Sequence, residues 1–293
     1  MLKMRKKLKV AILGTGNIGT DLLIKILRSD YLECSYFVGR NFLSKGMSKA
    51  INLGVRVSDK SIEFLKSNPK LYDLVFDATT ASEHIKHAII FKEFNKIVID
   101  LTPAKVGKLC VPSVNLSEVI HFNNINTITC GGQASIPLAF VLGKVHPNTE
   151  YIEVISAIAS KSAGPGTRAN LDEYVETTEA GIIQFSKCQK AKVMLILNPA
   201  IPCIDMQTTI QATIKDPNMD LITFEINKMV ANIQKYVPGY HLLVPPTYEG
   251  GRLIITVKVK GLGDYLPSYA GNLDIINCAA IAIAEEFSKA KLK

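Results

Sequence analysis

The chain has 293 residues, of which 47% are hydrophobic and 20% are charged, a composition that excludes a disordered or fibrous protein. No apolar run approaches the roughly 18 residues that a transmembrane helix needs, so we predict no membrane span. The formal net charge is +8, but the sequence has no arginine-rich stripe with interleaved aromatic residues. We therefore expect anionic small molecules rather than nucleic acid as ligands.

Strand-like and helix-like segments alternate over the first third of the chain. Short apolar runs that end in glycine or polar turns predict strands, and apolar residues at helical spacing predict helices. The predicted strands and helices are, in chain order, strand 8–14, helix 15–29, strand 32–40, strand 73–80, helix 83–94 and strand 96–102. This alternation indicates a parallel sheet flanked by helices.

A different pattern begins after Cys130. Longer strands are predicted at 151–160, 193–201 and 252–260, with helical segments between them, and a long helix follows residue 268. The stretch VPPTYEGG, 244–251, is the clearest loop signal. The predicted fold class is therefore α/β, with a Rossmann-type parallel-sheet domain formed by 1–129 and 270–293 and an α+β second domain formed by 130–269.

Three glycines near the amino end form the pattern G-x-G-x-x-G. Gly14, Gly16 and Gly19 follow the first strand and open the first helix, which is the context that a dinucleotide site requires. Gly14 permits a tight turn, Gly16 lets the backbone approach a pyrophosphate, and Gly19 lets the helix pack on the strand. The helix N-terminus offers free N–H groups to the phosphates. The alternative is a glycine-rich turn that binds no ligand.

The second strand ends without the carboxylate that binds the ribose hydroxyls of NAD in many such folds. Gly39, Arg40 and Asn41 stand there instead, and Lys45 follows closely. Arginine in this place is suited to a 2′-phosphate. The predicted cofactor is NAD, with NADP as a possible second cofactor because of Arg40 and the missing acid at Asn41.

Cys130, in the stretch ITCGGQAS, has two interpretations: a nucleophile, or a small buried apolar residue. A helix predicted to start near Gln133 places the thiol beside a helix N-terminus, whose dipole lowers a thiol pKa. Gly131 and Gly132 would leave room for substrate and cofactor, and main-chain N–H groups there would hold an oxyanion. The six cysteines show no CxxC spacing, so we predict no metal site. The absence of a signal-peptide pattern favours a cytoplasmic protein.

The sequence resembles the acylating acetaldehyde dehydrogenases, which interconvert acetaldehyde and acetyl-CoA. The motifs that carry the resemblance run along nearly the whole chain and are VAILGTGNIGTDLLIKILRS, LVFDATTASEH, VIDLTPAKVGKLCVPSVNL, TCGGQASIP, IASKSAGPGTRANLDEYVETT, ILNPAIP and DYLPSYAGNLDI. The resemblance implies a homodimer whose second domain is the catalytic and dimerisation domain, with a short aldehyde and coenzyme A as substrates. It also implies a 4-hydroxy-2-oxovalerate aldolase as partner in the breakdown of aromatic compounds.

The resemblance carries over to single residues. It implies that Cys130 is the nucleophile that holds the acyl thioester. Together with the glycine pattern and Arg40, it predicts a cofactor-binding set of Gly14, Thr15, Gly16, Asn17, Ile18, Gly19, Arg40, Ser162, Ala163, Gly164, Pro165, Gly166, Thr167, Arg168, Ala169, Asn170 and Asn272. From the residues alone, 162–170 is also readable as a turn whose Asn170 and Asp172 cap the next helix. Arg168 is then either a phosphate ligand or an ion-pair partner.

Two positions depart from the family pattern. Thr208 stands where the family has an aspartate that is thought to assist the thiol, and Asp205 is the nearest carboxylate. Asn41 stands where the family has another acid. Two alternatives therefore stay open: a phosphorylating semialdehyde dehydrogenase, and a non-catalytic dinucleotide-binding subunit of an aldolase.

The histidines match no motif for a phosphorylating enzyme. His84 and His87 are predicted to lie on one exposed helix. Asp77 and Asp100, at the ends of predicted strands, are expected to cap turns or to contact the ligand.

Overall fold

The computed structural model of the protein describes residues 7–291, apart from the side chain of Pro165, and the chain divides into two compact units. The first unit comprises the described residues up to Cys110, Asn115–Thr127, and those from Asn277 onward. The second unit comprises Val111–Val114 and Ile128–Ile276. The assignment of cofactor binding to 1–129 with 270–293, and of catalysis to 130–269, stays a prediction.

Within residues 7–291, the first unit is built on a seven-stranded sheet in which every pair of neighbours is parallel. Its elements in chain order are β1 (Leu8–Leu13), α1 (Asn17–Leu27), β2 (Leu32–Val38), α2 (Lys45–Asn52), β3 (Val57–Ser58), α3 (Ser61–Ser67), β4 (Leu74–Asp77), α4 (Ala81–Glu93), β5 (Ile97–Asp100), β6 (Lys108–Leu109), α5 (Pro112–Val119, shared with the second unit) and β7 (Asn124–Asn126). The strand order is β3-β2-β1-β4-β5-β7-β6. The order reverses between β1 and β4, and ligands of open α/β sheets bind at this reversal, beyond the carboxyl ends of the strands.

The central strands of this sheet are apolar on both faces. Val10 to Leu13 of β1 and Leu74 to Asp77 of β4 are buried throughout. Parallel strands that are covered on both faces have near-continuous apolar runs rather than alternation. The predicted strands 8–14, 73–80 and 96–102 are confirmed, and so is the Rossmann-type sheet.

The second unit holds a mixed sheet of five strands in the part of the chain that the structure describes. Its elements in chain order are α6 (Cys130–Val145), β8 (Tyr151–Ala159), α7 (Pro165–Ala169), α8 (Leu171–Ser186), β9 (Lys190–Asn198), β10 (Met206–Thr213), α9 (Met219–Gln234), β11 (Tyr240–Glu249), β12 (Arg252–Val259) and α10 (Gly271–Lys291, shared with the first unit). The order is β11-β12-β10-β8-β9, with β8 and β9 parallel and the other pairs antiparallel. Buried and half-buried residues alternate along β8 and β10, so one face packs on the helices.

The loop predicted at 244–251 is wrong, because most of it belongs to β11. This strand lies at the edge of the sheet, where the missing N–H groups of Pro245 and Pro246 do not interrupt a central ladder. The pairing register of β11 with β12 shifts across these prolines. The turn itself is confined to Gly250 and Gly251, whose φ angles are +56° and +78°.

The predicted carboxy-terminal helix is α10. In the first unit, the amide of Asn277 on this helix donates to Asp21 Oδ2 at 2.8 Å and to the carbonyl of Ile18 at 3.2 Å. These bonds fix the helix against α1. No helix among residues 7–291 has the length and apolar character needed to cross a membrane.

Candidate active site

Cys130 is the first residue of α6. The hydroxyl of Thr129 accepts a hydrogen bond from the N–H of Gly132 at 2.9 Å and so caps the helix. The prediction that this helix starts near Gln133 is wrong, because the cap by Thr129 allows the glycines to form its first turn. The partly buried Cys130 is thus part of the helix N-terminus rather than ahead of it.

The backbone is strained directly before the cap. Ile128 is buried and has a φ angle of +66°, a left-handed conformation that is a genuine outlier for a β-branched residue. Such conformations cost on the order of 1–3 kcal/mol and cluster at functional sites. The strain at Ile128 turns the chain sharply into α6 and so sets the position of the Cys130 sulfur.

Burial determines the electrostatics of Cys130. It raises the pKa of the thiol to about 11, against the lowering effects of the Tyr174 hydroxyl and of the backbone N–H groups of Gly131 and Cys130. The prediction of a lowered pKa is therefore wrong in its net direction. The helix N-terminus contributes N–H groups that stabilise the thiolate, but the loss of hydration outweighs them.

Protein side chains fill the space beside Gly131 and Gly132. A Cβ atom at Gly131 would collide with the Tyr174 hydroxyl, and one at Gly132 would overlap the side chain of Ile128. The expectation that these glycines leave room for substrate is therefore wrong for the space where their side chains would lie, because Tyr174 and Ile128 occupy it. The N–H of Gly132 is also engaged by the Thr129 cap, which leaves the N–H of Gly131 directed at the sulfur.

A buried tyrosine that sequence reasoning missed contacts Cys130. Tyr174 lies on α8, and its hydroxyl oxygen is 3.8 Å from the Cys130 sulfur. Thr208 is buried on β10, where its hydroxyl pairs with that of Ser156 at 2.9 Å. The side chain that contacts the sulfur is thus that of Tyr174. Assistance to the thiol by Asp205, the nearest carboxylate in the sequence, stays a prediction.

The glycine-rich segment forms the turn from β1 into α1. Gly14 has a φ angle of +117°, and a Cβ atom there would overlap the carbonyl of Ala78. Gly19 packs against the carbonyl of Gly14, whereas nothing lies within 4 Å of a Cβ atom built on Gly16. Gly16 and Asn17 are exposed, so the start of α1 is open to a phosphate group.

The residues after β2 lie beside this turn. The hydroxyl of Ser44 donates to that of Thr15 at 3.1 Å and caps α2 by accepting from Met47 N–H. Asn41 uses its side-chain oxygen to accept from the N–H of Leu43 at 2.9 Å, so it closes a turn. Arg40 and Lys45 are exposed. The first unit therefore carries two cationic side chains where the adenosine ribose would lie.

The segment 162–170 holds itself together through Arg168. This guanidinium donates to the carbonyls of Ala163 and Ser160, and to the Ser160 hydroxyl at 2.9 Å. Asn170 donates to the carbonyl of Gly166 at 2.6 Å, and its side chain does not cap α8. The expected side-chain cap at Asn170 is therefore wrong. The predicted side-chain contact of Pro165 lies outside the described residues.

Asn272 lies in the first turn of α10 and is buried. Its side-chain oxygen has no hydrogen-bond partner among residues 7–291. Buried polar atoms are nearly always paired, so an unpaired acceptor marks a place for an external donor. This orphaned oxygen fits a carboxamide such as that of nicotinamide.

His84 and His87 are buried, so their predicted exposure is wrong. Both ring Nδ1 atoms contact Asp77 Oδ2, at 2.9 Å and 2.8 Å. Burial opposes ionisation of Asp77, but the hydrogen bonds and charges of the two histidines lower its pKa to about 2. Burial raises the pKa of Asp100 to about 7. The predicted turn caps are present. Asp77 accepts a hydrogen bond from the N–H of Thr79, and Asp100 accepts one from the N–H of Thr102.

Comparisons with known proteins agree with these features. Residues 130–267 match the family model described as prokaryotic acetaldehyde dehydrogenase, dimerisation. The chain is 56% identical to the acetaldehyde dehydrogenase of Pectobacterium atrosepticum over 98% of both proteins, and 55% identical to that of Spirochaeta aurantia over 97% of this chain and 96% of that one.

Two solved structures share the fold. Aspartate semialdehyde dehydrogenase from Candida albicans, solved with NADP, has a TM-score of 0.67 and 12% identity over 98% of this chain and 100% of that one. Aspartate semialdehyde dehydrogenase II from Vibrio cholerae has a TM-score of 0.65 and 16% identity over 96% and 98%. At such low identity, the likeness shows the two-domain fold alone.

Proposed function

This chain belongs to the acetaldehyde dehydrogenase family, and on that premise we propose that it oxidises a short aldehyde, acetaldehyde above all, to its coenzyme A thioester. The observation that carries the proposal is the position of Cys130. Cys130 is partly buried and begins a capped helix two residues after the strained Ile128, with the Tyr174 hydroxyl and the Gly131 N–H beside its sulfur.

The chemistry requires a nucleophile because an aldehyde releases hydride only after its carbon has become tetrahedral. The Cys130 thiolate forms a carbon–sulfur bond to that carbon, and negative charge develops on the aldehyde oxygen. A nicotinamide supplies the hydride acceptor when it is bound. Cys130 then holds the acyl group as a thioester until the thiol of coenzyme A displaces it and the cysteine sulfur is released.

The described residues fit a dinucleotide. In the first unit, the exposed start of α1, at Gly16 and Asn17, would hold the pyrophosphate. In the second unit, the unpaired oxygen of Asn272 would accept a hydrogen bond from a carboxamide donor. Arg40 and Lys45 would meet a 2′-phosphate, so we propose that NADP serves beside NAD. In the second unit, the segment 162–170, which Arg168 holds together, is the other segment that the family resemblance assigns to the cofactor.

The proposed assembly is a homodimer formed through the outward face of the second sheet. Large apolar side chains are exposed there: Met194 is 38% exposed and Ile196 is 48% exposed on β9, and Leu243 is 47% exposed on β11. The matched family model is described as a dimerisation region, which supports this. We also propose a cytoplasmic location and an aldolase partner that supplies the aldehyde. Co-purification of an aldolase from the source cells tests the partner.

A steady-state assay of the purified protein tests the function. We expect coenzyme A-dependent formation of reduced cofactor from acetaldehyde, with NAD and NADP compared in parallel. Cys130→Ala should lower turnover by at least about 10³-fold, as loss of a covalent nucleophile does. Cys203→Ala, which alters another half-exposed cysteine of the same unit, should retain turnover. Turnover with phosphate but not coenzyme A would favour the semialdehyde alternative, and no turnover would favour a binding subunit.

A further inference from the structure

Three buried hydroxyl groups follow one another behind the Cys130 sulfur. The Tyr174 oxygen lies 3.8 Å from the sulfur, and the Tyr174 and Ser156 hydroxyls both face Gly131, where an added Cβ atom would meet both of their oxygens. The Ser156 and Thr208 oxygens are 2.9 Å apart. Ser156 and Thr208 are directly paired across β8 and β10, so the sheet register holds them together.

These hydroxyls interrupt an otherwise apolar surface. The neighbours of Ser156 on the buried face of β8 are Val154 and Ile158, and those of Thr208 on β10 are Met206 and Ile210. Buried hydroxyls are tolerated when they are hydrogen-bonded, and here Thr208 pairs with Ser156 while Tyr174 contacts the Cys130 sulfur. This series of contacts ends at the Cys130 sulfur.

The groups that face the sulfur from each neighbouring element are uncharged. From α6 they are the backbone N–H groups of Cys130 and Gly131, and from α8 the Tyr174 hydroxyl. Through Tyr174, Ser156 of β8 and Thr208 of β10 join them. Burial, above all, raises the pKa of Tyr174 well above its ordinary value, so its hydroxyl keeps its proton and stays a donor.

We propose that Tyr174, Ser156 and Thr208 form a hydroxyl chain that stabilises the Cys130 thiolate without a carboxylate. The inference rests on the proposed role of Cys130 as nucleophile. Tyr174 touches the reacting sulfur, whereas Ser156 and Thr208 are positioning residues that act through it. Thr208 occupies the position where the family pattern has an aspartate, so a neutral hydroxyl replaces a charge there.

The hydroxyl chain works by rotation of its O–H groups. In the thiol state, the S–H group donates to the Tyr174 oxygen. When the thiol ionises, its proton leaves to water, and Tyr174 turns its O–H toward the sulfur anion. Ser156 then donates to the Tyr174 oxygen, and Thr208 donates to Ser156. The hydroxyl groups only rotate, and no atom is transferred from one residue to another. Hydrogen bonds in such a series polarise and strengthen one another.

The pKa of Cys130 in the purified full-length protein tests the proposal. It is measured from the rate at which iodoacetamide alkylates the Cys130 peptide over a pH series, read by mass spectrometry. We expect Tyr174→Phe to raise this pKa by about one unit and to slow alkylation at neutral pH about tenfold, because a hydrogen bond to the charged form is lost. Ser156→Ala and Thr208→Val should raise the pKa by smaller amounts, and Thr208→Ser should restore it.

Thr209→Val is the matched control. Thr209 is the next residue of β10 and pairs its hydroxyl with that of Thr256 at 3.0 Å, on the other face of the sheet. This variant loses a similar hydrogen bond and should leave the Cys130 pKa unchanged. An unchanged pKa in Tyr174→Phe, or equal shifts in Thr208→Val and Thr209→Val, would overturn the hydroxyl chain.

The Cys130→Ala variant separates the two proposals. If it abolishes turnover while Tyr174→Phe leaves the thiol pKa unchanged, the hydroxyl chain fails and the nucleophile stands. If it retains turnover, the proposed function fails, and the hydroxyl chain fails with it.

Discussion

At the scale of single residues, the reactive end of α6 depends on the Thr129 hydroxyl. It accepts from Gly132 N–H and also pairs with the Thr178 hydroxyl at 2.6 Å. We expect Thr129→Ala to lower the free energy of unfolding by about 1 kcal/mol, the usual cost of a lost N-cap. Urea unfolding followed by circular dichroism measures this. Thr129→Ser should keep most of the stability, and equal losses in both variants would argue against the cap.

Arg40 is a second residue with a specific expected effect. Its exposed guanidinium is suited to binding the 2′-phosphate of NADP, a group that NAD lacks. We expect Arg40→Ala to raise KM for NADP about tenfold, since a charge-assisted hydrogen bond is lost, and to leave KM for NAD nearly unchanged. Parallel kinetics with both cofactors provide the check. An equal rise for both would place Arg40 outside the 2′-phosphate site.

Only part of the residue-scale site was predictable from the sequence. Cys130 and the glycine pattern are recognisable because the residues of each motif lie within a few positions of one another in the sequence. Tyr174 does not, because it is 44 residues from Cys130 and only the packing of α8 brings it there. The burial of His84 and His87 was not predictable either, since it depends on a partner, Asp77, on another element.

At the scale of elements, Asp77 links β4 to α4 through its two histidine contacts. We expect Asp77→Asn to lower the free energy of unfolding by about 3 kcal/mol, because the buried carboxylate that both histidine rings contact is replaced by a neutral group. Thermal unfolding of both proteins at neutral pH measures the difference. Ser82→Ala, at an exposed position on the same helix, is the control and should change stability little.

The same carboxylate predicts a pH dependence. The pKa of Asp77 is about 2 in the folded chain against an ordinary 3.8, so its stabilising contribution is present above 3.8 and is lost as pH falls toward 2. The stability gap between the natural protein and Asp77→Asn should therefore shrink over this range. A gap that stays constant down to the lower value would contradict the lowered pKa.

The elements themselves were largely predictable where local pattern and environment agree. The strands β1, β4 and β5 are apolar runs closed by turns, and burial on both faces is what such runs predict. β11 was missed because its two prolines are typical of loops, and only its edge position makes them acceptable. The start of α6 was misplaced because glycines are poor helix formers and the Thr129 cap outweighs them.

At the scale of the whole molecule, the outward face of the second sheet predicts the assembly. Ile196 is 48% exposed on β9, on the face opposite the buried residues of the sheet. We expect Ile196→Asp to shift the protein from dimer to monomer in light scattering, because a desolvated charge is costly in an apolar interface. Phe224→Asp, which changes a residue 64% exposed on α9, should remain dimeric. A dimer that survives Ile196→Asp would place the interface elsewhere.

The most direct test of the whole account is to trap the acyl group on the protein. The enzyme is incubated with acetaldehyde and NAD but without coenzyme A, and its peptides are examined by mass spectrometry. We predict one acetyl group on the peptide that contains Cys130, and its disappearance when coenzyme A is added. An acetyl group on another residue, or none on Cys130 while the cofactor is reduced, would contradict the assignment of Cys130 as the nucleophile.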